Sequence, residues 1–367
     1  MSKLKVAIIS AGRMASSIDD EIRDQETWPS LKLQLPFSHA PTYKTFPDEV
    51  EMVAVCDLDE EKAKAFCKRW EVPRYYLDYR DMITREKPDI LSIATAAIQH
   101  AEMVIFACAN GVRGMYCEKP MCSSLEEADA IVDAVRQSGV KFMLGAQRRH
   151  HPNFKKAKEI VQSGEIGELV SATSWFSSSL LHSLSHTADG MLFFADDQPA
   201  VSAYGVMGEV SGIDDTEMRR VVPLEKFDPA TQRWNGDPGC NLYMARLANG
   251  VFINHLPSIT DVRFEISCAN GYLRILDNND SLHLYKRRGR TYSFDEVELP
   301  RMPHASSNRE LVRDLIHCLK TNSQPLANEI AARNGMEILM GAAQSHLEGG
   351  TTIKLPQANR KMYIPAH

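Results

Sequence analysis

The feature that most constrains the fold is an alternation of short apolar runs with helical segments over residues 5–150. The apolar runs are "KVAIIS", "VEMVAVCD", "DILSIAT", "RGMYCE" and "KFMLGA", and amphipathic stretches such as "LDEEKAKAFCKRW" and "SLEEADAIVDAVRQSG" separate them. Buried strands that alternate with helices of this length form a parallel sheet covered on both faces. The first part of the chain is therefore predicted to be a doubly wound α/β domain.

Beyond residue 150 the pattern changes to strands that follow one another closely, among them "VSATSWFS", "CNLYMARLANGVFINHL" and "RFEISCANGYLRILD". The Asn-Gly pairs at 249–250 and 270–271 favour tight hairpin turns between such strands. This pattern predicts an α+β domain with an open, mostly antiparallel sheet. Because 367 residues exceed one ordinary core, we expect two domains, 1–150 and 151–367.

The bulk composition disfavours several kinds of partner. The chain has 42 basic and 48 acidic residues, a net charge of -6, and no basic run that suits nucleic acid. No apolar run reaches the roughly 18 residues that span a bilayer, and the first residues do not resemble a signal peptide. Eight cysteines lack metal-finger spacing. We expect a cytoplasmic protein that binds neither nucleic acid nor membrane and holds no metal.

The stretch "KVAIISAGRMA" at residues 5–15 is typical of a Rossmann strand and nucleotide-binding turn. Such turns carry three glycines, for the tight turn, for close approach of the pyrophosphate, and for helix packing. Here the three positions are Ser10, Gly12 and Ala15, so only the glycine at the phosphate approach is present. The motif indicates a nucleotide site, and a purely structural turn remains an alternative.

Asp57 ends the second apolar run, where a carboxylate accepts the hydroxyls of an adenosine ribose. It alternatively caps the helix "EEKAKAFCKRW". Gly12 and Asp57 are 45 positions apart rather than about 20, which indicates an insertion near residues 16–37. This insertion, which contains Trp28, is predicted to be a loop that covers the cleft or forms an oligomer contact. Because Leu58 follows Asp57 and no arginine is adjacent, NAD is favoured over NADP.

At "YCEKP", residues 116–120, the chain resembles the GFO/IDH/MocA family of NAD(P)-dependent oxidoreductases, named for glucose-fructose oxidoreductase, inositol dehydrogenase and MocA. The resemblance also rests on "AGRMA", "VAVCD", "HAEMVIFACANGV", "KKAKEIVQSGEIGEL" and "SHTAD", in order over nearly the whole chain. It implies a Rossmann domain followed by an open antiparallel sheet domain. It further implies an NAD-dependent dehydrogenase that oxidises a ring hydroxyl of a sugar, a sugar derivative or a cyclitol.

The resemblance also implies the catalytic groups. Lys119 is expected beside the nicotinamide ribose and the substrate oxygen, before a cis bond to Pro120, and His186 matches the family's proton acceptor. Oxidation of a secondary alcohol also removes its proton, so an ammonium that stabilises the alkoxide and a base that takes the proton suit this chemistry. His182 stands where the family usually has an aspartate, and we expect it to tune the base, bind substrate or titrate with it.

His182, His186 and Asp189 are spaced by four and three residues, which predicts one helical face. Two other interpretations of these three residues remain open, a zinc site and a pair of buried structural histidines.

The candidate cofactor-binding residues are Ser10, Gly12, Arg13, Met14, Asp57, Thr95, His100, Glu118 and Lys119. Those for the substrate are Gln147, Arg149, Trp175, His182 and Asp189. Either arginine of "QRRH" is alternatively a surface ion-pair residue, and Trp175 is either a stacking surface for a sugar or a core residue.

Two other functions are compatible with the same residues. One is a redox-assisted glycosidase or lyase that retains NAD and cleaves a bond by elimination after transient oxidation. The other is a non-catalytic nucleotide-binding protein. In each case we expect a homo-oligomer, because a sheet with one uncovered face favours pairing with another subunit.

Overall fold

A computed structural model describes residues 3–24, 29–212, 220–259 and 261–366. Its internal contacts group the chain into two compact units. Unit 1 comprises Met1–Cys122, Glu127–His150 and His304–Glu329, and unit 2 comprises Ser123–Glu126, His151–Pro303 and Ile330–His367.

Unit 1 is built on a six-stranded sheet in the order β3-β2-β1-β4-β5-β6, and all its pairings are parallel. The strands are β1 (Leu4–Ile9), β2 (Val50–Cys56), β3 (Arg74–Tyr76), β4 (Ile90–Ile93), β5 (Gly114–Cys117) and β6 (Lys141–Leu144). Every residue of β4, β5 and β6 is buried, as expected for a sheet covered on both faces. This order is that of the Rossmann fold, so the predicted class of the first half is confirmed.

The helices of the first half connect these strands. They are α1 (Ile18–Asp24), α2 (Pro29–Lys32), α3 (His39–Lys44), α4 (Glu60–Trp70), α5 (Tyr79–Glu86), α6 (His100–Ala109) and α7 (Leu125–Ser138). A further helix, α10 (Ser307–Thr321), comes from much later in the chain and packs on β5 and β6. A Cβ added to Gly114 of β5 would meet Leu319 of α10 at 3.0 Å, which shows how closely the two elements approach.

The insertion is more regular than the sequence predicts. Residues Arg13–Ser17 form a π-helical turn that continues into α1, and α2 follows. The Nε1–H of Trp70 in α4 donates to Ser16 at 2.8 Å, and Arg69 pairs with Asp20 at 2.7 Å. The prediction of a loop over residues 16–37 is therefore wrong for these helices, because contacts with α4 and three acidic residues in the first turn of α1 stabilise them. Trp28 lies outside the described residues.

Unit 2 contains a nine-stranded sheet in the order β18-β17-β16-β15-β7-β14-β13-β8-β19. Its strands are β7 (Leu169–Trp175), β8 (Ala200–Met207), β13 (Cys240–Leu247), β14 (Phe252–Leu256), β15 (Arg263–Cys268), β16 (Gly271–Leu276), β17 (Ser281–Arg287), β18 (Phe294–Val297) and β19 (Ile353–Lys354). Short ladders pair β9 (Val210–Gly212) with β10 (Arg220–Val222), and β11 (Phe227–Asp228) with β12 (Arg233–Trp234). In the large sheet β14 and β7 are parallel and the other neighbours are antiparallel, which confirms the predicted mostly antiparallel sheet.

Helices cover one face of this sheet. They are α8 (Pro152–Ser163), α9 (Ser185–Phe194) and α11 (Glu329–Leu347). Gly205 of β8 lies directly beneath α11, where an added Cβ would meet Ala342 at 2.5 Å. The opposite face leaves Met244, Phe252 and Leu256 exposed.

The domain boundaries predicted from the sequence, 1–150 and 151–367, stay a prediction. Residues His304–Glu329 group with unit 1 because α10 packs on its sheet. In the part of the chain that the structure describes, none of the helices is both long and apolar enough to cross a membrane.

Candidate functional site

A cavity of about 540 Å³ opens at the carboxyl ends of β1, β2 and β4 in unit 1. In open α/β sheets, ligands bind at these strand ends, where the strand order reverses. The cavity is large enough for a small-molecule site. It is lined by Ile9, Ser10, Cys56, Asp57, Leu58, Leu77, Asp78, Tyr79, Arg80, Ala94, Thr95, Ala96, Gln99, Glu102 and Met103. Ser10, Asp57 and Thr95 were predicted from the sequence as cofactor residues, and the structure brings them together here.

Ser10 occupies the position of the first glycine in the turn after β1. Its φ is 88°, in the left-handed region that favours glycine. Its N–H donates to Cys56 O at 2.7 Å, and its hydroxyl accepts the N–H of Gly12 at 3.0 Å. The chain thus keeps the backbone conformation of a glycine turn without the glycine, and the serine hydroxyl stabilises it.

Gly12 has an ordinary backbone, with φ -80° and ψ -160°. Within the described residues, a Cβ added to it would meet the Ser10 hydroxyl at 3.1 Å and no other atom within 4 Å. The fold itself therefore does not require glycine here, and the missing side chain leaves space on the outer side of the turn. Arg13 and Met14 follow in the π-helical turn, where Arg13 pairs with Glu21 of α1 at 2.7 Å.

Asp57 lies between the turn and the cavity. Its Oδ2 accepts the N–H of Ala11 at 2.7 Å, and its Oδ1 accepts the N–H of Asp59 at 2.9 Å. The N-cap of α4 is Asp59, whose side chain accepts the N–H groups of Glu61 and Lys62. The alternative interpretation of Asp57 as the cap is therefore wrong, because the cap lies two residues further on.

Arg80 was missed by the sequence reasoning. It follows β3, which the parallel order places next to β2, so it lines the same cavity as Asp57 although 23 positions separate them in the sequence. Its guanidinium pairs with Glu102 and lies 4.5 Å from the centre of the Tyr79 ring. Although no arginine is adjacent to Asp57 in the sequence, Arg80 lines the same cavity.

Thr95 and His100 follow β4. Thr95 lines the cavity, whereas the His100 ring is fully buried. The ring nitrogens of His100 lie 3.0 Å from the carbonyl oxygens of Thr95 and Pro120. Burial lowers the pKa of His100 despite these two contacts. His100 therefore connects the loop after β4 to the turn that carries Lys119.

The turn after β5 contains Glu118, Lys119 and Pro120, and the Lys119–Pro120 bond is cis, as the resemblance implies. Glu118 is buried. Its Oε1 lies 3.0 Å from Nε2 of His39, and its Oε2 accepts the N–H of Lys119 at 3.2 Å. His39, which the sequence reasoning missed, comes immediately after the insertion, and no local motif marks it.

Gln147 and Arg149 lie in a 3₁₀ turn after β6. Gln147 is half-buried, whereas Arg149 is fully buried and donates to Leu326 O at 3.4 Å. The alternative interpretation of Arg149 as a surface ion-pair residue is therefore wrong.

In unit 2, His182 lies in a turn before α9, and His186 and Asp189 lie within α9. The prediction of one helical face is wrong for His182, because the helix begins at Ser185. The carboxylate of Asp237 accepts the N–H groups of Leu181 and His182 at 2.8 and 2.6 Å, so a side chain fixes this backbone.

A second cavity, of about 250 Å³, lies beside this turn. It is lined by Ser179, His182, Val221, Val222, Pro223, Asp237 and Pro365. In the described ranges, no group of three or more His, Cys, Asp or Glu side chains is arranged to hold a metal ion.

A buried polar ladder lies beneath α9. The Thr187 hydroxyl lies 2.8 Å from the Tyr243 hydroxyl, the Tyr243 ring stacks on His255 with centroids 4.9 Å apart, and Nδ1 of His255 lies 3.0 Å from the Ser174 hydroxyl. Burial lowers the pKa of His255 to about 3, so its ring is neutral at physiological pH. The sequence reasoning named none of these residues, since the strand pattern predicts inward side chains but not their partners.

Trp175 ends β7, and the guanidinium of Arg263 lies 5.1 Å from its ring centre. Successive strand residues point to opposite faces, so Trp175 lies on the face opposite Ser174 and the ladder. The structure does not bring Trp175 together with the residues of α9.

Comparison with known proteins agrees with the Rossmann order of the sheet in unit 1. Residues 35–146 match the GFO_IDH_MocA family model, described as an oxidoreductase family with an NAD-binding Rossmann fold. This match confirms the family resemblance predicted from the sequence.

Myo-inositol 2-dehydrogenase of Thermotoga maritima is 30% identical over 130 residues, which cover 35% of this chain and 38% of that protein. The matches span about a third of the length of the first curated relatives.

Two solved structures show the fold over almost the whole chain. Levoglucosan dehydrogenase in complex with NADH and L-sorbose has a TM-score of 0.72 at 17% identity, covering 97% of this chain and all of that one. A super-repressor mutant of Gal80p from Saccharomyces cerevisiae also has a TM-score of 0.72, at 15% identity, covering 96% of this chain and 98% of that one. These likenesses concern the fold.

Proposed function

We propose that this chain is an NAD-dependent dehydrogenase that oxidises a ring hydroxyl of a sugar, a sugar derivative or a cyclitol. The observation that carries the proposal is the cavity at the strand ends, in which the Ser10 turn and the Asp57 carboxylate converge. The relationship to myo-inositol 2-dehydrogenase over the matched segment supports a polyhydroxylated substrate.

The residues of unit 1 fit the dinucleotide. The turn from Ser10 to Gly12 has space beside Gly12 where the pyrophosphate would lie. Arg13 and Met14 would cover it, and Asp57, which lines the cavity, would accept the adenosine ribose hydroxyls. When bound, NAD would supply the hydride acceptor. Thr95 contacts the cofactor, and His100 and Glu118 hold the loops around it.

The charges around the cavity support the proposed preference for NAD over NADP. The Asp57 carboxylate repels a 2'-phosphate, and the guanidinium of Arg80 is already paired with Glu102. The same cavity therefore favours two free ribose hydroxyls over a phosphate.

In the catalytic step, the Lys119 ammonium stabilises the alkoxide that develops at the substrate oxygen, and the His186 imidazole accepts the hydroxyl proton. His182 and Asp189 bind neighbouring hydroxyl groups, and His182 also influences the proton affinity of His186. Gln147, half-buried in the turn after β6, is a further proposed substrate residue. Arg149, which is fully buried, and Trp175, which lies on the opposite face of the sheet from the ladder under α9, are not assigned a substrate contact.

We further propose that the uncovered sheet face of unit 2 pairs with a second copy of the chain. Met244, Phe252 and Leu256 are 42%, 45% and 38% exposed on neighbouring strands, which is unusual for large apolar side chains on one face. Sedimentation of the wild type and of a Met244→Lys, Phe252→Lys double variant tests this. We expect an oligomer for the first and a monomer for the second, and a monomeric wild type would contradict the proposal.

The activity is tested by screening monosaccharides, glycosides and inositols with NAD and with NADP while following reduced nicotinamide. We expect NADH to accumulate with at least one cyclic polyol. Cleavage of a glycoside without net NADH would instead indicate the redox-assisted glycosidase. NAD binding without any turnover would indicate a non-catalytic protein.

A further inference from the structure

We propose that His39 is a positioning residue for Lys119, which it fixes through the buried carboxylate of Glu118. The inference rests on the proposed function, in which Lys119 stabilises the alkoxide. His39 comes from α3 and Glu118 from the turn after β5, so the contact joins segments 79 positions apart in the sequence.

The His39 imidazole is held on three sides and is not exposed to solvent. Its Nδ1 lies 2.5 Å from the Ser92 hydroxyl of β4, and its Nε2 lies 3.0 Å from Oε1 of Glu118. The ring stacks on Tyr116 of β5, with centroids 4.0 Å apart and planes inclined by 6°. These contacts fix the ring in one orientation, in which Nε2 faces the Glu118 carboxylate.

The protonation states in this cluster follow from the chemistry of the groups. Burial raises the pKa of Glu118, but the hydrogen bond and charge of His39 together with the neighbouring Lys119 outweigh it and lower the pKa overall. An ionised carboxylate only accepts hydrogen bonds, so Nε2 of His39 carries the proton. On the other side of the ring, Nδ1 of His39 hydrogen-bonds the Ser92 hydroxyl, which also accepts from the Tyr43 hydroxyl 3.4 Å away.

Glu118 transmits this constraint to the main chain of Lys119. Its second oxygen, Oε2, accepts the N–H of Lys119 at 3.2 Å. On the other side lies Gly145, where an added Cβ would meet both carboxylate oxygens at 3.2 Å. The carboxylate is therefore confined between the imidazole, the glycine backbone and the Lys119 amide.

The insertion fixes the start of α3, where His39 stands. Oδ1 of Asp19, in α1, accepts the N–H groups of Phe37 and Ser38 at 2.8 and 2.9 Å. The Ser306 hydroxyl donates to Pro36 O at 2.5 Å. The described end of the insertion thus serves as a fixed support for His39.

The test uses the full-length protein labelled with ¹⁵N-lysine, in which the Lys119 amide signal is assigned from a Lys119→Arg variant. His39→Leu removes the imidazole, His39→Gln restores a side-chain N–H, Glu118→Gln keeps the shape without the charge, and Tyr43→Phe is the matched control. We expect the Lys119 amide to shift and its hydrogen exchange to accelerate about tenfold or more in His39→Leu and Glu118→Gln, but not in Tyr43→Phe.

Kinetics supply the second readout. Misplacement of Lys119 lowers kcat of His39→Leu by up to about 10²-fold, His39→Gln recovers most of the loss, and the Kd for NAD changes little. If His39 had a purely structural role, His39→Leu would be less stable but the Lys119 amide signal of the folded protein would not shift. An unshifted Lys119 amide signal in both His39→Leu and Glu118→Gln would overturn the proposal. If the wild type has no turnover, the proposed function fails, while the amide signal still decides the role of His39.

Discussion

The backbone N–H of Ala11 donates to Oδ2 of Asp57 over 2.7 Å, which connects the turn after β1 to the end of β2. One carboxylate thus closes the turn and also lines the cavity. Because the turn itself holds the carboxylate in place, the negative charge has a fixed position in the proposed nucleotide site. This arrangement has a measurable consequence for cofactor selectivity.

Asp57→Asn is expected to reduce the preference for NAD over NADP. The amide oxygen still accepts from Ala11, but the charge that repels a 2'-phosphate is lost. The Kd for NADP divided by the Kd for NAD is therefore expected to fall by about tenfold. Calorimetric titration with each nucleotide measures this ratio. The matched control is Asp59→Asn, which removes a charge two residues away and keeps the cap of α4. An equal ratio in the wild type and Asp57→Asn would contradict the role assigned to Asp57.

Gly12→Ala is expected to separate binding from stability. The added Cβ meets one serine hydroxyl at 3.1 Å, so the free energy of unfolding changes by less than about 1 kcal/mol, while the Kd for NAD rises about tenfold or more. Chemical unfolding and nucleotide titration give the two values.

Gly205→Ala is expected to have the opposite effect, a loss of stability without a loss of NAD affinity. Its Cβ would lie 2.5 Å from Ala342, so it costs about 1–3 kcal/mol of stability and leaves the NAD affinity of the folded protein unaltered. Gly12→Ala with unchanged NAD affinity would show that the pyrophosphate does not approach this turn.

Because burial lowers the pKa of His255, we expect the protein to lose stability in acid. Its folded pKa is about 3 against an ordinary 6.5, so between these values the unfolded chain binds a proton that the folded chain does not. The free energy of unfolding therefore falls as the pH is lowered through this window, by up to about 1.4 kcal/mol per pH unit from this group.

The contribution of His255 is measured by urea unfolding across this pH range in the wild type and in His255→Gln. The variant lacks the titrating group, so its profile should be flatter. His283→Gln, at a half-exposed histidine of β17, controls for loss of an imidazole. Parallel profiles for the wild type and His255→Gln would rule out a buried neutral His255.

The sequence predicts the parts of this molecule that depend on local pattern. Apolar runs identify both sheets, and the positions of Ser10, Asp57 and Thr95 follow from their places at strand ends. Each lies where its own strand ends, so the parallel order alone brings the three together.

The missed residues depend on contacts distant in sequence. Arg80 reaches the cavity because β3 lies beside β2, and His39 reaches Glu118 across an insertion of unusual length. The turn at His182 is set by Asp237, which lies 55 positions further on. Periodicity carries no information about such pairs, since it reports which face a residue occupies and not what it meets.

The measurement that tests the central claim most directly compares Lys119→Ala with the wild type for NADH production from a polyol substrate and for NAD binding. We expect kcat/KM to fall by about 10²–10³-fold, with NAD still bound and with Lys64→Ala, at an exposed lysine of α4, fully active. His186→Asn should show a comparable loss, since it removes the proton acceptor. Undiminished NADH production by Lys119→Ala would contradict the account.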